Sequence, residues 1–222
     1  MAVTSPIVSP VPQAEPPRDC SLCPRLVALR AACRAEHPDW WNGPVSAWGD
    51  PEARIVIIGL APGKHGANRT GRPFTGDYAG DLLFATLAKA GLTRGHYAAC
   101  VDDGLVLVDC AILNAVKCLP PQNKPLPAEI DMCRRFLAAG VAAMTRARVF
   151  VALGRIAHES VLKLLDGSPS AMRFGHGAEH LLADGRMLID SYHCSKRNTV
   201  TGRLTESMFF AVFERAVEIV RS

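Results

Sequence analysis

Nowhere does this chain stay apolar for the roughly 18–20 residues that a membrane-spanning helix requires. Residues 1–18 hold five prolines and lack the apolar h-region of a secretory signal. Both absences point to a soluble protein of the cytoplasm with no membrane partner. A strong charge of one sign is missing too: 25 basic residues face 21 acidic ones, a formal +4. That permits an acidic partner without demanding one, and leaves the clustering of charge to decide. No internal repeat is present, which excludes repeat architectures. A phosphate-binding P-loop is absent as well. Gly59-Leu60-Ala61-Pro62-Gly63-Lys64 is one residue short of GxxxxGK, has no Ser or Thr after the lysine, and loses a backbone donor at Pro62. Nucleoside triphosphate hydrolysis is thereby set aside.

What the chain does have is a core. Its 222 residues are 49% apolar, enough for one domain over residues 19–222 behind a flexible, proline-rich tail of residues 1–18. Eight cysteines are many for this length. In small secreted domains they would form a disulfide framework, but a chain with its own core in a reducing compartment more often uses cysteine pairs for metal.

Periodicity then places the elements. A helical pattern through Leu26, Leu29 and Cys33 stops at His37-Pro38. Trp40, Trp41 and Trp48 follow in a Pro/Gly-rich connection and read as packing. Strands are expected over Arg54–Ile58, along the run Val106–Leu113, over Arg148–Leu153 and over Arg186–Asp190. Helices are expected over Asp81–Ala90, from about Ala128 to Thr145, from Arg155 to Leu165, and at the end through Met208, Val212 and Val217. Residues 167–185 read as an irregular surface excursion. Four strands alternating with helices predict an α/β fold, a three-layer α/β/α sandwich around a mostly parallel four-stranded sheet. Polar residues fall just past the strand ends, at Gly59 onward, Asn114, Gly154 and His193. Parallel sheets bind ligands at that edge, so these loops are expected to converge on one crevice.

Cys20-Ser21-Leu22-Cys23 puts two thiols on one tight turn, while Cys118 and Cys133 have fourteen residues between them. Zinc sites usually show two tight pairs. One tight pair with two spread cysteines suits an iron–sulfur cluster at least as well, and the choice stays open on spacing alone. Cys33, Cys100 and Cys110 read as buried free thiols.

The loop from Gly59 to Gly80 carries a cationic set (Lys64, His65, Arg69, Arg72), an aromatic (Phe74) and a carboxylate (Asp77). Singly, each has a bland explanation: Asp77 as a helix N-cap, Phe74 as a core plug, Asn114 and His193 as satisfied polar groups. Together they supply a flat stacker, an amide, a carboxylate and an imidazole, the parts needed to hold a base and break a bond to it. In the last loop, Ser195, Asn198 and Arg203, with Lys196 and Arg197, can serve backbone phosphates.

The stretches GLAPGKHGANRTGRPFTGDYAG, NAVKCLPP and HCSKRNTVTGRLT together resemble the type B, or family 5, uracil-DNA glycosylases. The resemblance runs from about Cys20 to the last helix. It implies that Cys20, Cys23, Cys118 and Cys133 hold a 4Fe–4S cluster. Leu60 stands where family 4 carries a glutamate, and Ala61 where the uracil enzymes of family 1 have their catalytic aspartate. The resemblance therefore implies that Asp77 places the water or stabilises the sugar cation instead. It further implies that Phe74 stacks on the flipped base, that Asn114 contacts the base edge and that His193 lies near the departing base, with Gly59, Leu60 and Ala61 completing the base pocket. Related third motifs have proline after the histidine, where this chain has Cys194. The expected activity is monofunctional excision of uracil, and of other deaminated bases such as hypoxanthine, from DNA by a monomer that joins the nucleoid when bound. The rival is a non-catalytic, metal-containing protein that recognises distorted DNA.

Overall fold

The computed structural model describes residues 15–222 except 166 and 169. Residues 1–14 of the expected tail lie outside the described residues. Glu15 to Arg18 lie against the rest: Glu15 accepts from the Ala47 amide and from Lys117 Nζ, and the Arg18 guanidinium donates to Trp41 O.

α1 (Pro24–Glu36) begins with a proline, whose missing N–H is free of cost in a first turn. Then come β1 (Trp48–Gly49), β2 (Ile55–Gly59), α2 (Ala67–Thr70), α3 (Tyr78–Lys89), β3 (Thr93–Arg94), β4 (Val106–Leu107) and β5 (Cys110–Asn114). The second half adds α4 (Pro127–Ala143), β6 (Val149–Leu153), α5 (Arg155–Leu164), β7 (Glu179–Leu181), β8 (Met187–Ser191), α6 (Lys196–Val200) and α7 (Glu206–Arg221).

The main sheet has the order β1-β5-β2-β6-β8-β7. Its four central strands are parallel, and both edge strands pair antiparallel. Six strands therefore stand where four were expected. The two additions are edges that pattern could not show. β1 is two residues long, and β7 is a Glu-His-Leu segment within the excursion that β8 recruits by pairing. The run Val106–Leu113 is also split. Asp109 takes a left-handed φ of 56° and holds Arg54 in an ion pair, so β4 pairs with β3 while β5 enters the main sheet.

Because neighbouring strand residues point to opposite faces, the apolar strands feed two cores. Ile55, Ile57, Ile112 and Val151 pack against Leu83, Phe84 and Leu87 of α3 and Phe209 and Phe213 of α7. Val56, Ile58, Leu113 and Phe150 pack against Leu137 and Val141 of α4 and Val161 of α5. A smaller cluster of Leu26, Val116, Cys133 and Phe136 joins α1 to α4. Of the three expected buried thiols, Cys33 and Cys110 are buried and Cys100 is exposed. Among the described residues no helix is long and apolar enough to cross a membrane.

Candidate active site

The loops after β2, β5 and β8 enclose a cleft of about 380 Å³ at the carboxyl edge of the sheet. Gly59 and Asn114 are register partners at the ends of β2 and β5. A Cβ on Gly59 would meet Asn114 Oδ1 at 2.3 Å and the Phe74 ring at 2.8 Å, so only glycine lets both side chains enter. Asn114 is 3% exposed, and its Oδ1 is buried without a hydrogen-bond partner. A buried orphan acceptor of this kind costs about 1–3 kcal/mol until a donor arrives. Phe74 sits at a strained φ of 53°. Its ring is stacked with His193 at 5.9 Å between centroids and 27° between planes.

Asp77 occupies the wall opposite. It is the N-cap of α3, with Oδ1 accepting from the Gly80 amide at 3.1 Å. The N-cap explanation is thus true of one oxygen. The other, Oδ2, lies where a Cβ on Gly63 or Gly66 would stand, 2.9 and 2.1 Å away. Two glycines clear space for this oxygen at the cleft. Desolvation holds the His193 imidazole below its usual range, and the nearby Asp77 charge pulls the other way. The ring's neutral form is the one burial favours. Leu60 and Ala61 line the floor with apolar groups.

Cys194, at the position of the expected proline, is fully buried and its thiol donates to Ala79 O at 3.4 Å. Burial pushes that thiol far above its usual pKa. The cysteine pins the loop to the first turn of α3 by a bond where proline would have stiffened it. Asn198 donates to His193 O at 2.8 Å, so it fixes the histidine backbone from within its own loop.

Behind the cleft floor, Cys20, Cys23, Cys118 and Cys133 line one pocket. Val116 bonds to Leu60 O and belongs to the apolar cluster against which Ala61 and the four cysteines pack. Arg30, 7% exposed, donates to Cys20 O at 2.8 Å and reaches Cys118 Sγ at 3.8 Å. Burial pushes Cys118 up to about 12 and Cys133 up to about 11, so thiolates here need a bound cation. Four thiols gathered in one pocket are a donor set that suits a thiolate-held metal or iron–sulfur group.

The sequence model of the Uracil DNA glycosylase superfamily matches residues 46–218. A type-5 uracil-DNA glycosylase of Thermus thermophilus is 48% identical over 89% of this chain and 92% of its own. The chain belongs to the uracil-DNA glycosylase superfamily. A second type-5 relative, from Pyrobaculum aerophilum, is 42% identical over 89% of this chain and 88% of its own. A type-4 uracil-DNA glycosylase of Archaeoglobus fulgidus is 37% identical over 53% of this chain and 52% of its own. This superfamily member groups with the type-5 proteins.

Of its expected cations, Arg72 is misplaced. It is 6% exposed, gives two bonds of 2.8 and 2.7 Å to buried Asp103, and stacks over Trp48 at 4.8 Å. A guanidinium so committed cannot meet a phosphate, and only tertiary contact with Asp103 decides this. Lys64 is tied to Glu36 at 3.0 Å. His65 and Arg69 are exposed, and Arg69 spends its donors on His65 O and Gly76 O. Ser195 and Lys196 line the cleft, and Arg203 is exposed over Tyr192 at 4.4 Å. Among the cleft residues that sequence reasoning missed are two polar ones, Tyr78 and Asn123. Asn123 has a left-handed φ of 56°, and its signal was an asparagine inside a proline-bracketed turn. Tyr78, whose hydroxyl accepts from Thr199 Oγ1 at 2.9 Å, gave none beyond adjacency to Asp77.

Proposed function

We propose that this chain excises uracil from DNA by hydrolysing the N-glycosidic bond, leaves the strand uncut, and so starts base excision repair. The single observation that carries the proposal is the unpartnered Oδ1 of Asn114, a residue lining a cleft that also holds Phe74, His193 and Asp77. An extruded base satisfies that acceptor with an N–H of its edge. Extrusion costs a few kcal/mol, least for a mispaired base, and stacking on Phe74 returns about 1–3 kcal/mol. As the bond to the sugar breaks, cationic charge grows on the sugar and anionic charge on the base. Asp77 Oδ2 faces the first, stabilising it or orienting the water, and neutral His193 donates to the second. The name shared by its type-5 relatives supports the same activity.

The apolar groups of Leu60 and Ala61 add no acid to discriminate bases, so hypoxanthine and xanthine are accepted beside uracil. Cys20, Cys23, Cys118 and Cys133 hold a 4Fe–4S cluster, a reading supported by their meeting in one pocket and by the single tight pair among them, where zinc sites usually show two. Once bound, it supplies cross-linking among the N-terminal segment, the Pro-rich loop and α4. The enzyme acts as a monomer in the cytoplasm, on nucleoid DNA.

Mass spectrometry of bases freed from duplexes with uracil, hypoxanthine or xanthine tests the reading. The wild type should release all three, and Asp77→Ala should slow release at least 100-fold, roughly the worth of a transition-state electrostatic contact. Tight binding with no free base from the wild type would instead support the non-catalytic rival. Borohydride should trap no protein–DNA adduct.

A further inference from the structure

The part of the excursion over residues 170–185 is not accounted for by the cleft chemistry, yet it is firmly built in. Asp190 at the end of β8 is fully buried and bonds to His158 Nδ1 at 2.8 Å, His180 Nε2 at 3.1 Å and the Gly175 amide at 3.2 Å. His176 accepts from the Tyr192 amide at 3.2 Å, one residue before His193, and stacks on the Tyr192 ring at 5.2 Å. These bonds hold Phe174 at 6.1 Å from Tyr192. Two arginines lie on this aromatic pair: Arg155 over Phe174 at 5.5 Å and Arg203 over Tyr192 at 4.4 Å. Arg155 directly follows Gly154, whose open Cα faces the His193 side chain at 3.8 Å from a would-be Cβ. The platform therefore borders the cleft.

Its cations are free. Arg155, Arg173 and Arg203 are exposed, and among the described residues none of them takes part in an ion pair. By contrast Arg25, Arg34, Arg54, Arg72 and Arg215 are all matched with carboxylates. A guanidinium resting on an aromatic face keeps its outer N–H groups aimed at solvent and loses less freedom on binding. Anchored, unpaired and beside the cleft, such groups suit a polyanion with fixed charge spacing.

We infer that residues 170–185, through Phe174, hold Arg155 beside Arg203 as a second contact strip for the phosphodiester backbone flanking the extruded nucleotide. The inference rests on the glycosylase reading and deepens it. Each arginine neutralises one phosphate, so each should add about 0.9 to the slope of log K against log salt on duplex DNA.

The test measures anisotropy on a duplex with a non-cleavable 2′-fluoro-deoxyuridine, between 50 and 200 mM NaCl. Arg155→Gln should lower the slope by about 0.9, and Arg155→Gln with Arg203→Gln by about 1.8. Arg221→Gln, at the far end of α7, serves as the reference for an arginine outside the strip. Phe174→Leu should keep the wild-type slope and weaken the dissociation constant about threefold, on the order of a modest cation–π contact. An Arg155→Gln slope equal to that of wild type, with unchanged circular dichroism, overturns the inference. Unchanged affinity in Phe174→Leu overturns the role of the excursion. Failure of the glycosylase reading would show separately, as no base released by wild type from a cleavable duplex.

Discussion

Gly66 has no room for a side chain, because a Cβ would come within 2.1 Å of Asp77 Oδ2. Gly66→Ala should therefore displace the carboxylate and slow uracil release by about 100-fold, as an ångström of misplacement does elsewhere. Urea unfolding should change by no more than about 1 kcal/mol, the worth of the one N-cap at stake. His193 makes a pH prediction of definite sign. Burial depresses its pKa in the folded chain, so as pH falls through about 6.5 the unfolded chain takes up a proton that the native state resists. Stability contributed by the neutral ring is complete above that value and is lost below it. His193→Asn should have a flatter stability profile than wild type between pH 7.5 and 5.5, read from urea midpoints. At this scale the sequence was informative about identity and mute about commitment. Phe74, Asp77, Asn114 and His193 were legible because each sits just beyond a strand end or in the glycine loop. Arg72 was misread because its partner, Asp103, is thirty-one positions away.

Among the elements, α4 shows how one side chain can fasten several. Glu129, 6% exposed, accepts from the Leu126 amide at 2.7 Å and takes two bonds from Arg25 of α1, at 2.8 and 2.6 Å. The first satisfies an orphan donor of α4's first turn, and the others join the CxxC arm to the helix that carries Cys133. Glu129→Ala should cost about 2–3 kcal/mol of stability in denaturant titration. On the proposed cluster assignment it should also hasten loss of visible absorbance. The centres of the four parallel strands and of the five long helices were legible from periodicity, since each of those strands is built on an apolar run, whereas the short helices α2 and α6 lay in stretches that read as loops. The edges were not. β1 and β7 exist because β5 and β8 offer open hydrogen-bonding rows, and a two- or three-residue partner needs no pattern of its own.

For the whole molecule, the four cysteines and the cleft share one wall. The cluster pocket backs onto Val116, Leu60 and Ala61, while the two main cores lie over the faces of the sheet. On the proposed 4Fe–4S assignment, removing the group with chelator should loosen α1 and the CxxC turn first. Hydrogen exchange should quicken over residues 20–36 while β2, β5 and β6 stay protected. Uniform exchange across the sheet would show that the group supports the entire fold.

The sequence by itself determined the α/β class, the four parallel strands, the meeting of three distant loops and the placing of Cys20 and Cys23 on one turn. Each follows from local chemistry, whether apolar runs, glycine where backbone must pass closely, or paired cysteines on a tight turn. Only the tertiary structure decided which charges remain available and how the third loop is held. Arg72 is consumed by Asp103 and Cys194 replaces a stiff proline with a bond to Ala79 O, while Arg155 lies over Phe174 and Arg203 over its neighbour Tyr192. Those outcomes depend on partners far away along the chain, and burial and pairing are properties of the partners as much as of the residue. The glycine loop after β2 is thus a scaffold in its first half, with Phe74 and Asp77 delivered to the cleft by its second.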